Sequence, residues 1–123
     1  MTDFNISNAE WEVMRVVWRK RSITAVDVIA EIQTSRNWSV STIKTLLNRL
    51  VKKGILAFRK SGRQYLYSPL VSQVECRTTE IRSFLDRVFD GSLSPLLAHY
   101  VQNEPLTERE IGELERILKQ RTQ

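Results

Sequence analysis

The chain has 123 residues, 41% hydrophobic and 27% charged, with three Trp, four Gly, three Pro and a formal net charge of +5. That length fits one small domain with or without an appendage and excludes a doubly wound or barrel enzyme. The composition excludes collagenous, low-complexity and disordered chains. The single cysteine, Cys76, excludes an internal disulfide and a cysteine zinc cluster and points to a reducing compartment.

The charge is unevenly placed. Residues 1–70 hold 12 Lys and Arg against 5 Asp and Glu, whereas residues 71–123 hold 7 against 9. No acidic residue lies between Ile32 and Val74, a stretch that carries Arg36, Lys44, Arg49, Lys52, Lys53, Arg59, Lys60 and Arg63. Mixed signs are the ordinary solution to solubility, so a block of one sign points to a polyanionic partner, nucleic acid first. The polar, acidic start MTDFNISNAE and the lack of any long apolar run give the expectation of a cytoplasmic chain without membrane insertion.

Ser7-Asn8-Ala9-Glu10 has the form of a capping box and predicts a first helix with Trp11, Met14, Val17 and Trp18 inward, closed by Arg19-Lys20-Arg21. Thr24 is placed to cap a second helix from Ala25 to Gln33, with Val28, Ile29 and Ile32 inward. Ser39 is placed to cap a third, from Val40 to Lys53, stopped by Gly54. At about 100° per residue, Val40, Ile43, Leu46, Leu47, Leu50 and Val51 share its inner face. Ser41, Thr45, Asn48 and Lys52 centre on the outer face, flanked by Thr42, Lys44 and Arg49. Short hydroxyls let a helix approach a major groove closely, and the amide and long cations reach base edges or phosphates. Thr45, at the centre of that face, is the first candidate for a thymine methyl or base edge.

The β-prone segments Ile55–Lys60 and Arg63–Pro69 around Ser61-Gly62 predict a hairpin with Ser61-Gly62 at its tip, carrying Arg59, Lys60 and Arg63. Three helices followed by a basic hairpin make a winged helix-turn-helix. Beyond residue 70 the spacing predicts three further amphipathic helices. Their stripes are Val74, Ile81, Leu85, Val88 and Phe89, ending at Gly91; then Leu93, Leu96, Leu97, Tyr100 and Val101; then Ile111, Leu114, Ile117 and Leu118 behind a second capping box, Thr107-Glu108-Arg109-Glu110. So small a helical unit encloses too little apolar surface alone. The expectation is a mainly α chain: a winged helix-turn-helix DNA-binding domain over 1–70, then an α-helical dimerisation domain over 71–123. The interface would use Val74, Ile81, Leu85, Val88, Phe89, Leu93, Leu97, Tyr100, Ile111, Leu114, Ile117 and Leu118.

Ile6-Ser7-Asn8-Ala9-Glu10-Trp11-Glu12-Val13-Met14, Val17-Trp18 and Ser41-Thr42-Ile43-Lys44-Thr45-Leu46-Leu47-Asn48-Arg49-Leu50-Val51-Lys52-Lys53-Gly54 together resemble the BlaI/MecI penicillinase repressors and the related CopY copper-responsive repressors. The resemblance runs through Pro69 and continues in Asn103-Glu104-Pro105-Leu106. It implies a dimeric repressor that blocks a promoter at a palindrome with TACA/TGTA-type half-sites, in a β-lactam resistance or copper homeostasis operon. By match, Ser41, Thr42, Lys44 and Thr45 read bases, while Asn48, Arg49, Arg59, Lys60 and Arg63 hold phosphates. It also implies relief either by a membrane sensor and protease, whose bond aligns with His99-Tyr100, or by a metal held on a Cys-x-Cys tail that Lys119–Gln123 does not supply. Cys76 and His99 are too few to close a metal site within one chain, so neither metal nor cofactor is expected. No phosphate loop, nucleophile elbow or His-centred triad is present, so no enzymatic activity is expected. The competing reading is a non-specific architectural DNA- or RNA-binding protein, which would use the same positive face without reading bases.

Overall fold

The computed structural model describes residues 5–121. It has helices α1 (Asn8–Lys20), α2 (Ala25–Gln33), α3 (Val40–Lys52), α4 (Gln73–Phe89), α5 (Leu93–Asn103) and α6 (Glu108–Arg121), with strands β1 (Ile23–Thr24), β2 (Leu56–Ser61) and β3 (Gln64–Pro69). The antiparallel sheet has the order β1-β3-β2. Three helices, a small sheet and a hairpin give the winged-helix arrangement expected from the sequence.

Local chemistry sets each helix start. Ser7 N–H donates to Glu10 Oε1 at 2.8 Å and Glu10 N–H to Ser7 Oγ at 3.2 Å, satisfying two free donors reciprocally. Thr24 Oγ1 accepts from Asp27 N–H at 3.2 Å, and Ser39 Oγ from Thr42 N–H at 3.1 Å. Thr107 and Glu110 repeat the box at α6, and so do Ser72 and Glu75 at α4, a pair the sequence reading passed over.

The core is built from Val13, Met14 and Val17 of α1, Val28 and Ile32 of α2, Ile43, Leu46, Leu47 and Leu50 of α3, with Ile23, Ile55, Leu56 and Tyr67 from around the sheet. Several expectations shift here. Trp11 and Trp18 sit at the core's margin, edge to face at 5.5 Å, while Val13 and Val16 are buried beside Met14 and Val17. The Trp18 indole needs a polar partner and takes the Val71 carbonyl at 3.0 Å. Val40, expected inward, is the first residue of α3 and is 45% exposed. A two-residue strand, β1, went unforeseen, being too short to show periodicity; Ile23 pairs with Tyr67 and Thr24 with Leu66. The hairpin tip lies one residue later than expected, at Gly62-Arg63, since Ser61 pairs with Gln64. Gly62, at φ +65°, takes the positive φ that a two-residue turn requires at its first position.

The chain divides into two compact units, the first running to Glu80 and the second beginning at Ile81. The sequence reading parts the chain at 70/71; the compact units part inside α4, whose Cys76 is 2% exposed in the first unit's core. The stripe expected on this helix includes Val74 and omits Cys76, and that is corrected: α4 turns its Cys76 face inward and leaves Val74 outside. In the second unit α4 ends where Gly91, at φ +82°, donates its N–H to the Leu85 carbonyl at 2.9 Å. Neither α5 nor α6 has a buried residue.

Candidate nucleic-acid interface

The packing of Ile43, Leu46, Leu47 and Leu50 fixes which side of α3 faces out. Ser41, Thr42, Lys44, Thr45, Asn48, Arg49 and Lys52 are all exposed on it, and Arg59, Lys60 and Arg63 are exposed on the β2–β3 wing. The two groups predicted from sequence thus lie on the outer surface of one unit. Two hydroxyls are already engaged. Ser39 Oγ donates to Thr42 Oγ1 at 3.0 Å, and Thr45 Oγ1 donates to the Ser41 carbonyl at 3.0 Å. With its one proton spent on the backbone, the Thr45 side chain is left to meet a partner through its methyl group or as an acceptor.

Of the eight cations between Ile32 and Val74, two are answered from α1. The Arg36 guanidinium pairs with the Glu12 carboxylate, its Nε donating at 2.9 Å, and Lys53 Nζ donates to Glu10 Oε1 at 2.7 Å. Long-range folding supplies partners that local sequence lacks. The other six, Lys44, Arg49, Lys52, Arg59, Lys60 and Arg63, have no carboxylate within ion-pair distance among the described residues. The first turn of α3 carries no acid either, so the positive end of its dipole is unopposed.

The Glu10–Lys53 pair is a feature that the sequence reading missed. Glu10 is 1% exposed, and Lys53, the C-cap of α3, also donates to the Asn5 carbonyl at 2.7 Å. Burial pushes the Glu10 carboxyl up, but the Lys53 ammonium and the Ser7 hydrogen bonds outweigh it and hold the group below the usual range. The pair ties the start of α1 to the end of α3 and so positions the exposed helix. Its signal was readable: Glu10, Met14 and Val17 share helical spacing, so the capping-box carboxylate had to face inward.

The residues expected in a dimer interface lie on α4, α5 and α6, all exposed except Leu85 and Phe89, which are half-buried. His99 and Tyr100 sit inside α5 rather than on a loop; the His99 carbonyl accepts from the Asn103 side chain at 2.8 Å. Cys76 has its thiol pushed up to about 11 by burial and by the nearby Glu75 carboxylate. No helix among the described residues is long and apolar enough to cross a membrane.

The penicillinase repressor family profile matches residues 6–120. The chain is 37% identical over 118 residues to the methicillin resistance regulatory protein MecI of Mammaliicoccus sciuri, covering 96% of each chain. It is 39% identical over 115 residues to the penicillinase repressor of Bacillus licheniformis, covering 94% of this chain and 90% of that one. The solution structure of monomeric Bacillus licheniformis BlaI with the blaP half-operator is similar over 59% of this chain and 89% of that one, at 42% identity and a TM-score of 0.53.

Proposed function

This chain belongs to the penicillinase repressor family, and we propose on that footing that two copies of it occupy a palindromic operator and block transcription by occupancy, without a catalytic step. It is a DNA-binding transcriptional repressor of the BlaI/MecI type. The observation that carries the proposal is the outer face of α3 together with the wing, where six cations lack carboxylate partners among the described residues and stand beside exposed hydroxyls and an amide. In this reading α3 enters the major groove with Ser41, Thr42, Lys44 and Thr45 at base edges of a TACA/TGTA-like half-site. Asn48, Arg49, Lys52, Arg59, Lys60 and Arg63 hold the phosphates on either side.

The homodimer rests on the exposed apolar stripes of α4, α5 and α6, which a second copy would cover. The setting is the cytoplasm, and the regulated genes are of the resistance or homeostasis kind. Derepression by a sensor and protease, cutting at His99-Tyr100, would need α5 to unwind first, since a helical bond cannot extend into a protease cleft.

Fluorescence anisotropy on a TACA/TGTA palindrome and on a scrambled duplex, at two salt concentrations, tests the reading. The palindrome is expected to bind about a thousandfold more tightly. Lys44→Ala or Thr45→Ala is expected to cost about 1 to 3 kcal/mol and relax sequence preference, whereas Lys60→Ala weakens both duplexes evenly and flattens the salt dependence. Equal, salt-sensitive binding to both duplexes would favour the architectural alternative.

A further inference from the structure

Beside the outer face of α3 the first unit holds a cleft of about 660 Å³, within the size range of small-molecule sites. Its walls come from the start of α2, the start of α3 and strand β3. They are unlike the rest of the positive surface. Val26, Val40 and Tyr65 line the cleft while 62%, 45% and 48% exposed, Tyr65 packing edge to face on Phe58 at 5.3 Å and leaving the rest of its ring open. Lys44 and Arg63, at the same cleft, are two of the cations without a carboxylate partner among the described residues. Tyr67, largely buried, closes the base of the wall.

A phosphate backbone would use the two cations and leave the apolar wall unused. A neutral apolar molecule would use the wall and leave the two cations without a counter-charge. The combination fits a flat apolar body with a single anionic end. We propose that the cleft binds a small aromatic carboxylate, its ring on Val26, Val40 and Tyr65 and its carboxylate on Lys44 and Arg63, and that this ligand excludes operator DNA. The exclusion rests on the repressor reading above, because Lys44 and Arg63 serve both ligands; the binding itself does not.

The test uses the full chain with 2-naphthoate and its neutral isostere 2-naphthamide, titrated by calorimetry without DNA. Naphthoate is expected to saturate at one molecule per chain and to bind at least about tenfold more tightly than the amide, the margin of a charge-assisted hydrogen bond. Arg63→Gln is expected to erase most of that margin, and Val40→Glu, which places a like charge against the wall, to abolish naphthoate binding. Circular dichroism melts of both variants establish that they fold. Equal or non-saturable binding of acid and amide overturns the proposal, as does unchanged naphthoate binding by the Val40→Glu variant. Naphthoate is then added to the chain bound to labelled operator, where the apparent operator Kd is expected to rise in proportion to free naphthoate. Saturable naphthoate binding that leaves the operator in place overturns the exclusion. Loss of operator affinity in both variants with no naphthoate binding to the parent chain overturns the proposal and makes the cleft part of the DNA interface. Absence of operator binding by the parent chain sinks the repressor reading, while the calorimetric titration still decides the ligand site.

Discussion

Helices α3 and α6 are similar in length and both amphipathic, yet their relation to the rest of the chain is opposite. The apolar face of α3 is consumed within its own unit, where Ile43, Leu46, Leu47 and Leu50 are buried, and its polar face carries cations without acids. The apolar face of α6, with Ile111, Leu114, Ile117 and Leu118, is exposed, and its polar face alternates signs, Arg109 pairing with Glu113 one turn on at 3.4 Å. A polar face with balanced charges is built for water, and an apolar face without cover is built for a partner. In α3 it is the polar side that waits for another molecule; in α6 it is the apolar side.

Truncation on the two helices separates these roles most strongly. Leu47→Ala is expected to lower unfolding stability by about 2 to 5 kcal/mol, the cost of lost burial plus a residual cavity. Leu114→Ala, measured by denaturant titration at concentrations where the chain is monomeric, is expected to change it by less than about 0.5 kcal/mol. Comparable losses at both positions would mean that α6 is packed intramolecularly and that the contrast is false. The second break is association. Leu114→Glu would set a carboxylate into the proposed interface, and is expected to yield monomers by sedimentation with operator affinity down about a hundredfold, since bivalent attachment contributes that much. A Leu114→Glu variant that still sediments as a tight dimer would remove α6 from the interface.

How legible this contrast was in the sequence differs by feature. The α3 stripe apart from Val40, the caps at Ser7, Thr24, Ser39 and Thr107 and the cationic face are local patterns, set within one or two turns, and the structure carries them. What was misplaced depends on residues far apart in the chain. The inward turn of Cys76 requires knowing where α4 starts to cross the first core. The pairing of Lys53 with Glu10 and of Arg36 with Glu12 joins residues in different helices, so a count of unanswered charges along the sequence overstated the free ones by two. Strand β1 exists only because β3 comes alongside it. The division of α3 into base-reading and phosphate-holding residues has no local signal in the fold and comes from the family pattern, which mutagenesis of Lys44 and Lys60 addresses directly.

The Glu10–Lys53 pair sharpens the comparison from inside the first unit. Glu10→Gln is expected to cost about 2 kcal/mol at neutral pH, less than a wholly buried pair because Lys53 is about one-third exposed. The pH dependence follows from the direction of the shift. Because the folded state holds this carboxyl below its ordinary value, its contribution is present above the usual carboxylate range and is lost as pH falls through that range and below. Urea melts from pH 7 down to pH 3 are expected to converge for parent and Glu10→Gln chains as the carboxylate protonates. A constant gap between the two across that range would mean that the side chain contributes by shape and capping alone.

The smallest loss expected within the first unit is at Cys76, which joins α4 to the first core. Its thiol is pushed up to about 11, so at pH 8 almost none of it is thiolate, and burial blocks access to what there is. A water-soluble disulfide reagent is therefore expected to label the native chain only as fast as the α4 segment opens, with labelling accelerated by sub-denaturing urea. Cys76→Ser trades a weak donor for a hydroxyl in the same apolar position and is expected to cost about 1 kcal/mol, the lower end for a polar group buried without a partner. Fast stoichiometric labelling in buffer would mean that the first turns of α4 detach readily from the core. The helix would then belong, in energetic terms, with α5 and α6, and the boundary between a self-sufficient unit and one awaiting a partner would move back toward the end of β3.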